Sequence, residues 1–333
     1  MRVLILGATG FAGRHLADLL ARKKNIELFG TARAISSASE LSEAARRKLK
    51  LRACDLLGGP GLEKVLKESR PDRLFHLAGQ ASVLVSWQRP KETFIQNVIG
   101  TSNKFEALKK LELRPRIHIA GSSEEYGWCP PKVMPINEDT PLRPVTPYAV
   151  SKVAQDLLGY QQFKANGFDV VRTRAFNHIG PGQSVNFVSS GLARQVALIE
   201  AGEQEDQVLR VGNTEVMRDF TDVRDMVAGY WLALEKGKAG EVYNLCSGRG
   251  HKVNDIISIL VSASRIPIRV EKDPARIRKT DVPRFIGDAR RFKRLTGWKP
   301  VVPFRRSVID TLDYWRQRIR RSGSRQDGNT NGS

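Results

Sequence analysis

The run Gly7-Ala-Thr-Gly10-Phe-Ala-Gly13 follows directly on the first apolar stretch, Val3 to Leu6, and opens a segment of helical periodicity, Phe11 to Arg22. No other feature restricts the fold as strongly. A glycine turn between a buried strand and a helix lets the backbone approach a pyrophosphate, whose charge is favoured by the free amides and dipole of the helix start. The third glycine permits close packing of helix on strand. Glycine spacing by itself is a weak signal, since such turns also serve only to redirect the chain. Its position inside a strand-helix-strand unit is what points to dinucleotide binding.

Short β-rich runs alternate with amphipathic ones through the first half. Arg2 to Gly7, Ile26 to Thr31, Lys48 to Cys54, Arg73 to Ala78, Arg116 to Ala120 and Asp169 to Arg174 read as strands. Phe11 to Arg22, Gly61 to Ser69, Pro90 to Lys110 and Thr146 to about Ala165 read as helices. The pattern predicts an α/β fold, a doubly wound Rossmann-type parallel sheet covered on both faces. Further on, Gly180 to Gln183, Asn213 to Phe220 and Asp273 to Arg284 read as loops between helical patterns at Phe187 to Ala201, Val223 to Lys236 and Val253 to Ala263. The expected division is a cofactor-binding Rossmann domain over 1–175 with later segments interleaved, and a smaller C-terminal α/β substrate-binding portion mainly over 176–321. A disordered tail is expected over 322–333, where Gly, Asn and Ser predominate.

A NAD-preferring site usually places an acid after the second strand to receive the adenosine ribose hydroxyls. Here the strand ends Thr31-Ala32-Arg33. A guanidinium suits a 2′-phosphate, so NADP(H) is the expected cofactor, with NAD(H) the alternative if Arg33 is an ordinary solvated arginine. Asp55, after the third strand, either accepts from the adenine amine or caps a helix.

Tyr148-Ala-Val-Ser-Lys152 puts a phenol and an ammonium on one helix face. A nearby cation lowers a phenol's pKa, which would make Tyr148 a proton donor and acceptor near neutral pH. Tyr160 and Lys164 repeat the spacing, but a separation of twelve residues turns the second pair about 120° away. Tyr148 is favoured because Pro147 sets it near the helix start and because Ser122 and Ser123 end the preceding strand, at the carboxyl edge where such sheets bind ligands.

Together with Asn97-Val-Ile-Gly-Thr101 and Ser122-Ser123-Glu124-Glu125-Tyr126-Gly127, these motifs resemble the extended short-chain dehydrogenase/reductase family of nucleotide-sugar enzymes, from Met1 to about Trp315. Arg174-Ala-Phe-Asn-His-Ile-Gly-Pro-Gly-Gln183, Val211 to Asp222, Glu241 to Gly248 and Gly297-Trp-Lys-Pro300 are similar to its GDP-mannose 4,6-dehydratase branch, which includes reductases of the 4-keto product. The resemblance implies Ser122, Tyr148 and Lys152 as the catalytic set, with Lys152 also on the cofactor ribose and Glu124 at the dehydratase acid/base position. It implies cofactor contacts from Gly7, Gly10, Phe11, Gly13, Arg33, Asp55, Leu56, Ala78, Gly79 and Asn97. Ser123, Asn177 and Val188 would meet the sugar nucleotide, Arg218 and Arg278 would bracket its pyrophosphate, and Asp281 would take the guanosine ribose. Dehydratases of the branch usually carry Lys three residues after the Val188 position; this chain has Gly191. The implied activity is NADPH-dependent reduction of a GDP-linked 6-deoxy-4-keto sugar, with a 4,6-dehydratase or 4-epimerase as the alternative and a non-catalytic NADP-binding regulator as the rival class. Homodimerisation through the helices at 90–110 and 146–165 is implied as well.

Composition bears on partners. The formal charge of +20 raises nucleic acid as a ligand, but no zinc-finger or RRM signature or separate basic domain accompanies it. The excess is uneven: residues 265–325 hold 19 Lys and Arg against 6 Asp and Glu, including a basic C-terminal helix that no substrate role requires. Three scattered cysteines and the lack of a signal or membrane-length apolar run point to a cytoplasmic protein. The five histidines show no metal-ligand spacing, so no metal is expected.

Overall fold

The structure, a computed structural model, describes residues 1–204, 206–277 and 282–327. Arg278 and Asp281 lie outside the described residues, as do 328–333 of the expected tail. Strands β1 (Arg2–Leu6), β2 (Glu27–Ala32), β3 (Leu49–Ala53), β4 (Arg73–His76), β5 (Arg116–Ser122) and β6 (Val170–Ala175) form within two residues of the positions expected from apolar periodicity. The later strands are β7 (Asn177–Ile179), β8 (Val208–Val211), β9 (Met217–Asp222), β10 (Val242–Leu245), β11 (Gly250–Lys252), β12 (Arg269–Lys272) and β13 (Arg284–Phe285).

The central sheet has the order β10-β6-β5-β4-β1-β2-β3 and is parallel throughout. Helical crossovers cover both faces of such a sheet, so its inner strands must be apolar on both sides. β1 meets that demand by sending Val3 and Ile5 into one core cluster and Leu4 and Leu6 into the other. Strand order reverses between β1 and β4, which opens a crevice at the carboxyl ends of the strands.

The helix Pro147–Asn166 starts and stops on local chemistry. Thr146 Oγ1 accepts the Ala149 N–H at 3.0 Å, Pro147 takes the first helical position, and Gly167 ends the helix at φ +66°. The helix expected over Pro90 to Lys110 is three segments: Pro90–Phe94, a π-helical Ile95–Ile99 and Gly100–Lys110. The wide turn falls where the Asn97 side chain is fully engaged, donating to Ser151 Oγ at 2.9 Å and accepting the Gln80 N–H at 2.8 Å. Such widening concentrates at functional sites.

The loop expected over Asn213 to Phe220 is corrected by the structure. Residues 217–222 form β9, which pairs with β7 and β13 in parallel and β11 in antiparallel orientation in a second sheet. Met-Arg-Asp-Phe-Thr-Asp forms a strand without an apolar run because its acids are satisfied internally. Asp219 accepts from Ser247 N–H, Ser247 Oγ and Gly248 N–H, and Asp222 from Ser307 Oγ, all at 2.6–2.8 Å. The last helix, Phe304–Asp327, continues past Arg321 and packs on Val188–Glu200, with Trp315 Nε1 donating to Ser190 Oγ at 2.9 Å. Among the described residues no helix is long and apolar enough to cross a membrane.

Two glycines make opposite predictions. A Cβ on Gly13 would lie 2.0 Å from the Gly7 carbonyl oxygen, whereas one on Gly61 meets nothing within 4 Å. Gly13→Ala should lower stability by about 1–3 kcal/mol in urea denaturation, and Gly61→Ala, inside the helix Gly59–Ser69, should be neutral or stabilising by about 0.5–1 kcal/mol. Equal effects would contradict the packing described.

Candidate active site

The crevice holds a cleft of about 430 Å³ lined by Gly7, Gly10, Arg33, Asp55, Leu56, Ala78 and Gly79, among others. Gly7 sits at φ +84°, and a Cβ there would lie 2.8 Å from the Ala78 backbone, so glycine is what lets the first turn meet the end of β4. Arg33 is exposed at the rim. Asp55 Oδ1 accepts the Leu57 N–H at 3.0 Å, a local turn role within the cleft wall. Thr9, Ser37 and Gln96 also line the cleft, and sequence reasoning did not assign them. Phe11 stands edge-on to His15, with ring centroids 5.6 Å apart. Asn97 is buried behind Gly79, where an added Cβ would come 2.6 Å from Asn97 Oδ1. A backbone cradle that any Cβ would fill, the start of the helix Phe11–Ala21 and a rim guanidinium together fit a dinucleotide carrying a 2′-phosphate.

Ser122, the last residue of β5, and Tyr148, in the first turn of Pro147–Asn166, are each 8% exposed, and the Ser122 side chain is near enough to act on the phenol. Burial pushes the Tyr148 phenol above its ordinary range; the Ser122 side chain opposes that rise, and the charges of Glu124 and Glu125 add to it. Lys152 Nζ donates to the Ala120 carbonyl at 2.6 Å and to Gln155 Oε1. Burial lowers the ammonium to about 8, against the raising influence of Glu125 and Asp156. The expected lowering of Tyr148 by Lys152 is therefore replaced by a different balance: burial dominates, and the phenol keeps its proton. Tyr160, the competing tyrosine, is 39% exposed. Ser123 is buried and Glu124 half-buried in the turn Ser123–Tyr126.

Beneath this set lies an ionic network that sequence reasoning missed. Glu125 Oε1 accepts the Ser122 N–H at 2.7 Å while Ser122 Oγ accepts the Glu124 N–H at 3.2 Å, closing a capping box. Arg174 donates from Nε to Glu125 at 3.0 Å and from Nη2 to Asp156 at 2.7 Å, and Asp156 also accepts from Arg172 at 3.0 Å. These four side chains are at most 7% exposed. Two signals were available: Asp156 follows Lys152 at helical spacing, and Arg172 and Arg174 alternate in a strand otherwise apolar enough to be central.

On the substrate side, Asn177 lies on β7 opposite Phe220 of β9, the strand that carries Arg218. Arg218 Nη1 donates to the Val282 carbonyl at 2.6 Å. Val188, at the start of the helix Val188–Glu200, is 39% exposed. One turn on, a Cβ at Gly191 would stand 2.8 Å from the Val185 carbonyl oxygen, so a lysine there requires that backbone to move. Arg278 and Asp281 lie outside the described residues, so the expected second arginine and ribose ligand have no described geometry.

A family model described as GDP-mannose 4,6 dehydratase matches residues 4–311. The chain is 35% identical to GDP-6-deoxy-D-mannose reductase of Pseudomonas aeruginosa over 96% of its own length and 98% of the relative's. It is 29% identical to GDP-mannose 4,6-dehydratase of Sinorhizobium fredii, over 89% of this chain and 91% of that one. Among solved structures, RMD from Pseudomonas aeruginosa complexed with NADPH superposes with a TM-score of 0.83 at 32% identity, over 96% of this chain and 100% of that one. UDP-glucose 4-epimerase of Thermotoga maritima, with UDP-glucose, does so at 0.81 and 26%, again over 96% and 100%.

The lowered Lys152 pKa sets a pH dependence. If its ammonium is required, turnover falls as pH rises through about 8. Glu125→Gln keeps the oxygen that accepts the Ser122 N–H but removes a charge that supports the ammonium, so the basic limb of the pH profile should move to lower pH. The same shift makes Lys152 oppose folding below about 8, a penalty relieved as pH climbs from there toward its ordinary value. An unmoved limb in Glu125→Gln would contradict the assignment.

Proposed function

The chain belongs to the GDP-mannose 4,6-dehydratase family, matched over residues 4–311, and from that premise we propose that it reduces the 4-keto group of GDP-4-keto-6-deoxy-D-mannose with NADPH to give GDP-D-rhamnose. Its similarity to the Pseudomonas aeruginosa reductase over nearly the full length of both chains supports this reading. The observation that carries it is that near full-length similarity, joined to a site in which Tyr148 and Ser122 are both buried where β5 ends and the helix Pro147–Asn166 begins. Bound NADPH supplies the hydride for C4. Tyr148 holds at Oη the proton that the developing alkoxide needs, and Ser122 Oγ hydrogen-bonds the same oxygen. Lys152, a cation below about pH 8 and fixed by Ala120 and Gln155, orients the ribose side of the site. Arg218, with Arg278 as its expected counterpart, neutralises the diphosphate.

The second reading, a 4,6-dehydratase, is favoured by Glu124, which occupies the acid/base position for eliminating water across C5 and C6. Gly191 speaks against it, because it stands where dehydratases carry a lysine and a side chain there would force the Val185 backbone to move. Leu84, Trp87, Ile99, Val150, Leu157 and Tyr160 are exposed on the helices between residues 83 and 166, an apolar face suited to a homodimer. The free cysteines Cys54, Cys129 and Cys246 are all buried, consistent with a reducing cytoplasm.

Mixing enzyme, NADPH and the keto sugar should remove absorbance at 340 nm, and Tyr148→Phe should slow that loss about 10²- to 10⁴-fold while still binding NADPH. A stable 340 nm signal, with keto sugar formed from GDP-mannose instead, would give the protein to the dehydratase reading. Light scattering should return twice the 37.2 kDa chain mass, falling to the single value when Leu157 and Ile99 become Glu; a monomeric parent protein contradicts the dimer.

A further inference from the structure

Two arginines of the C-terminal helix that no substrate role requires, Arg316 and Arg318, tie it to the rest of the fold. Arg316 donates to both Glu200 oxygens, at 2.7 and 2.6 Å, which anchors Phe304–Asp327 on the helix Val188–Glu200. Farther along, Arg318 Nη1 donates to Glu40 Oε1 at 2.8 Å and to Tyr314 Oη at 2.8 Å. Glu40 Oε2 accepts from Arg14 Nη1 at 2.9 Å. Arg14 belongs to the helix that opens at the glycine turn, so one carboxylate joins that helix to the C-terminal helix.

Glu40 is the last residue of the 3-10 turn Ile35–Glu40, which follows Arg33 directly after β2. No residue of that turn is fully buried, so core packing alone does not fix it. Its inner side reaches the glycine turn through Ser37 Oγ, which donates to Thr9 Oγ1 at 2.9 Å, and its far end is tied by Glu40. Arg33, Ser37 and Thr9 all line the cleft. A turn tied at both ends is ordered before a ligand arrives, and a turn loosened at Glu40 must be ordered on binding at an entropic cost.

We propose that the Glu40 junction with Arg14 and Arg318 is a selectivity element for a 2′-phosphorylated dinucleotide, through which the C-terminal helix takes part in discriminating NADP(H) from NAD(H). The inference rests on the reading of Arg33 as the 2′-phosphate ligand. A dinucleotide without that phosphate gains nothing from an ordered Arg33, so it is indifferent to the junction. The junction side chains are 13–49% exposed, so solvent screens them and the effect is a factor of several, not of hundreds.

The test is the dissociation constant for NADPH and for NADH, read by tryptophan fluorescence or calorimetry on the full chain, in the parent protein and in Arg33→Ala, Glu40→Gln, Arg318→Ala and Arg318→Lys. The parent should prefer NADPH, and Arg33→Ala should lose that preference. Glu40→Gln and Arg318→Ala should each weaken NADPH about three- to tenfold and change NADH by less than about twofold, with Arg318→Lys retaining most of the affinity. A parent without preference, or one whose preference survives Arg33→Ala, overturns the Arg33 reading and the proposal with it. Arg33→Ala behaving as expected while Arg318→Ala leaves the NADPH-to-NADH ratio unchanged overturns the junction alone. So does an equal loss for both dinucleotides, which marks a scaffold role; if Glu40→Gln does not fold, the exposed Arg318 still decides.

Discussion

Arg174 donates to Glu125 and to Asp156 at once, and the geometry of the site depends on that buried guanidinium. Through Glu125 it holds the turn after β5, and so the Ser122 backbone; through Asp156 it holds the helix that carries Tyr148 and Lys152. Three elements distant in sequence are fixed by one side chain. Burying such charges costs about as much as their attraction returns, but removing one partner leaves an uncompensated ion, at about 3–5 kcal/mol. The network therefore serves alignment: Ser122 and Tyr148, the two groups proposed to meet one substrate oxygen, are positioned from below by bonds that tolerate little displacement.

The cleft beside it follows from a different constraint, the close approach of backbone to backbone. Gly7 lies against Ala78 and Gly13 against the Gly7 carbonyl, so β1, β4 and the first helix converge where strand order reverses. The crevice opens at the carboxyl ends of β1 and β4, and Ser122 ends β5, the strand beside β4, so the cleft and the Ser122–Tyr148 pair lie along the same side of the sheet. The second sheet, built around β9, carries Arg218 and includes β7 with Asn177, the two residues proposed to meet the sugar nucleotide.

Most of the central sheet was legible because parallel strands must be apolar on both faces, and periodicity reports that directly. Pro147 and Ser122 favoured Tyr148 over Tyr160, and the structure buries Tyr148 in the first turn of its helix while leaving Tyr160 exposed. What escaped the sequence was polar and internal. β9 reads as a loop because Arg218, Asp219 and Asp222 interrupt it, and only tertiary hydrogen bonds make it a strand. Glu125 stands in a recognised motif, yet its partner Arg174 is 49 residues away, beyond any local pattern. The balance at Tyr148 was also hidden, since spacing shows that a lysine is near but not that its ammonium turns toward Ala120. Likewise the basic C-terminal helix could be counted but not paired, because Glu40 lies 278 residues from Arg318.

Net reduction at the sugar C4, with Tyr148 as the proton donor, is the step on which the proposed function rests. Its most direct measurement is NMR of the nucleotide sugar formed from the keto intermediate with NADPH deuterated at the transferred C4 position. One deuterium at C4 of the product is expected for each NADPH consumed. Unlabelled product, or label that leaves C4 again while the total NADPH stays constant, would contradict it.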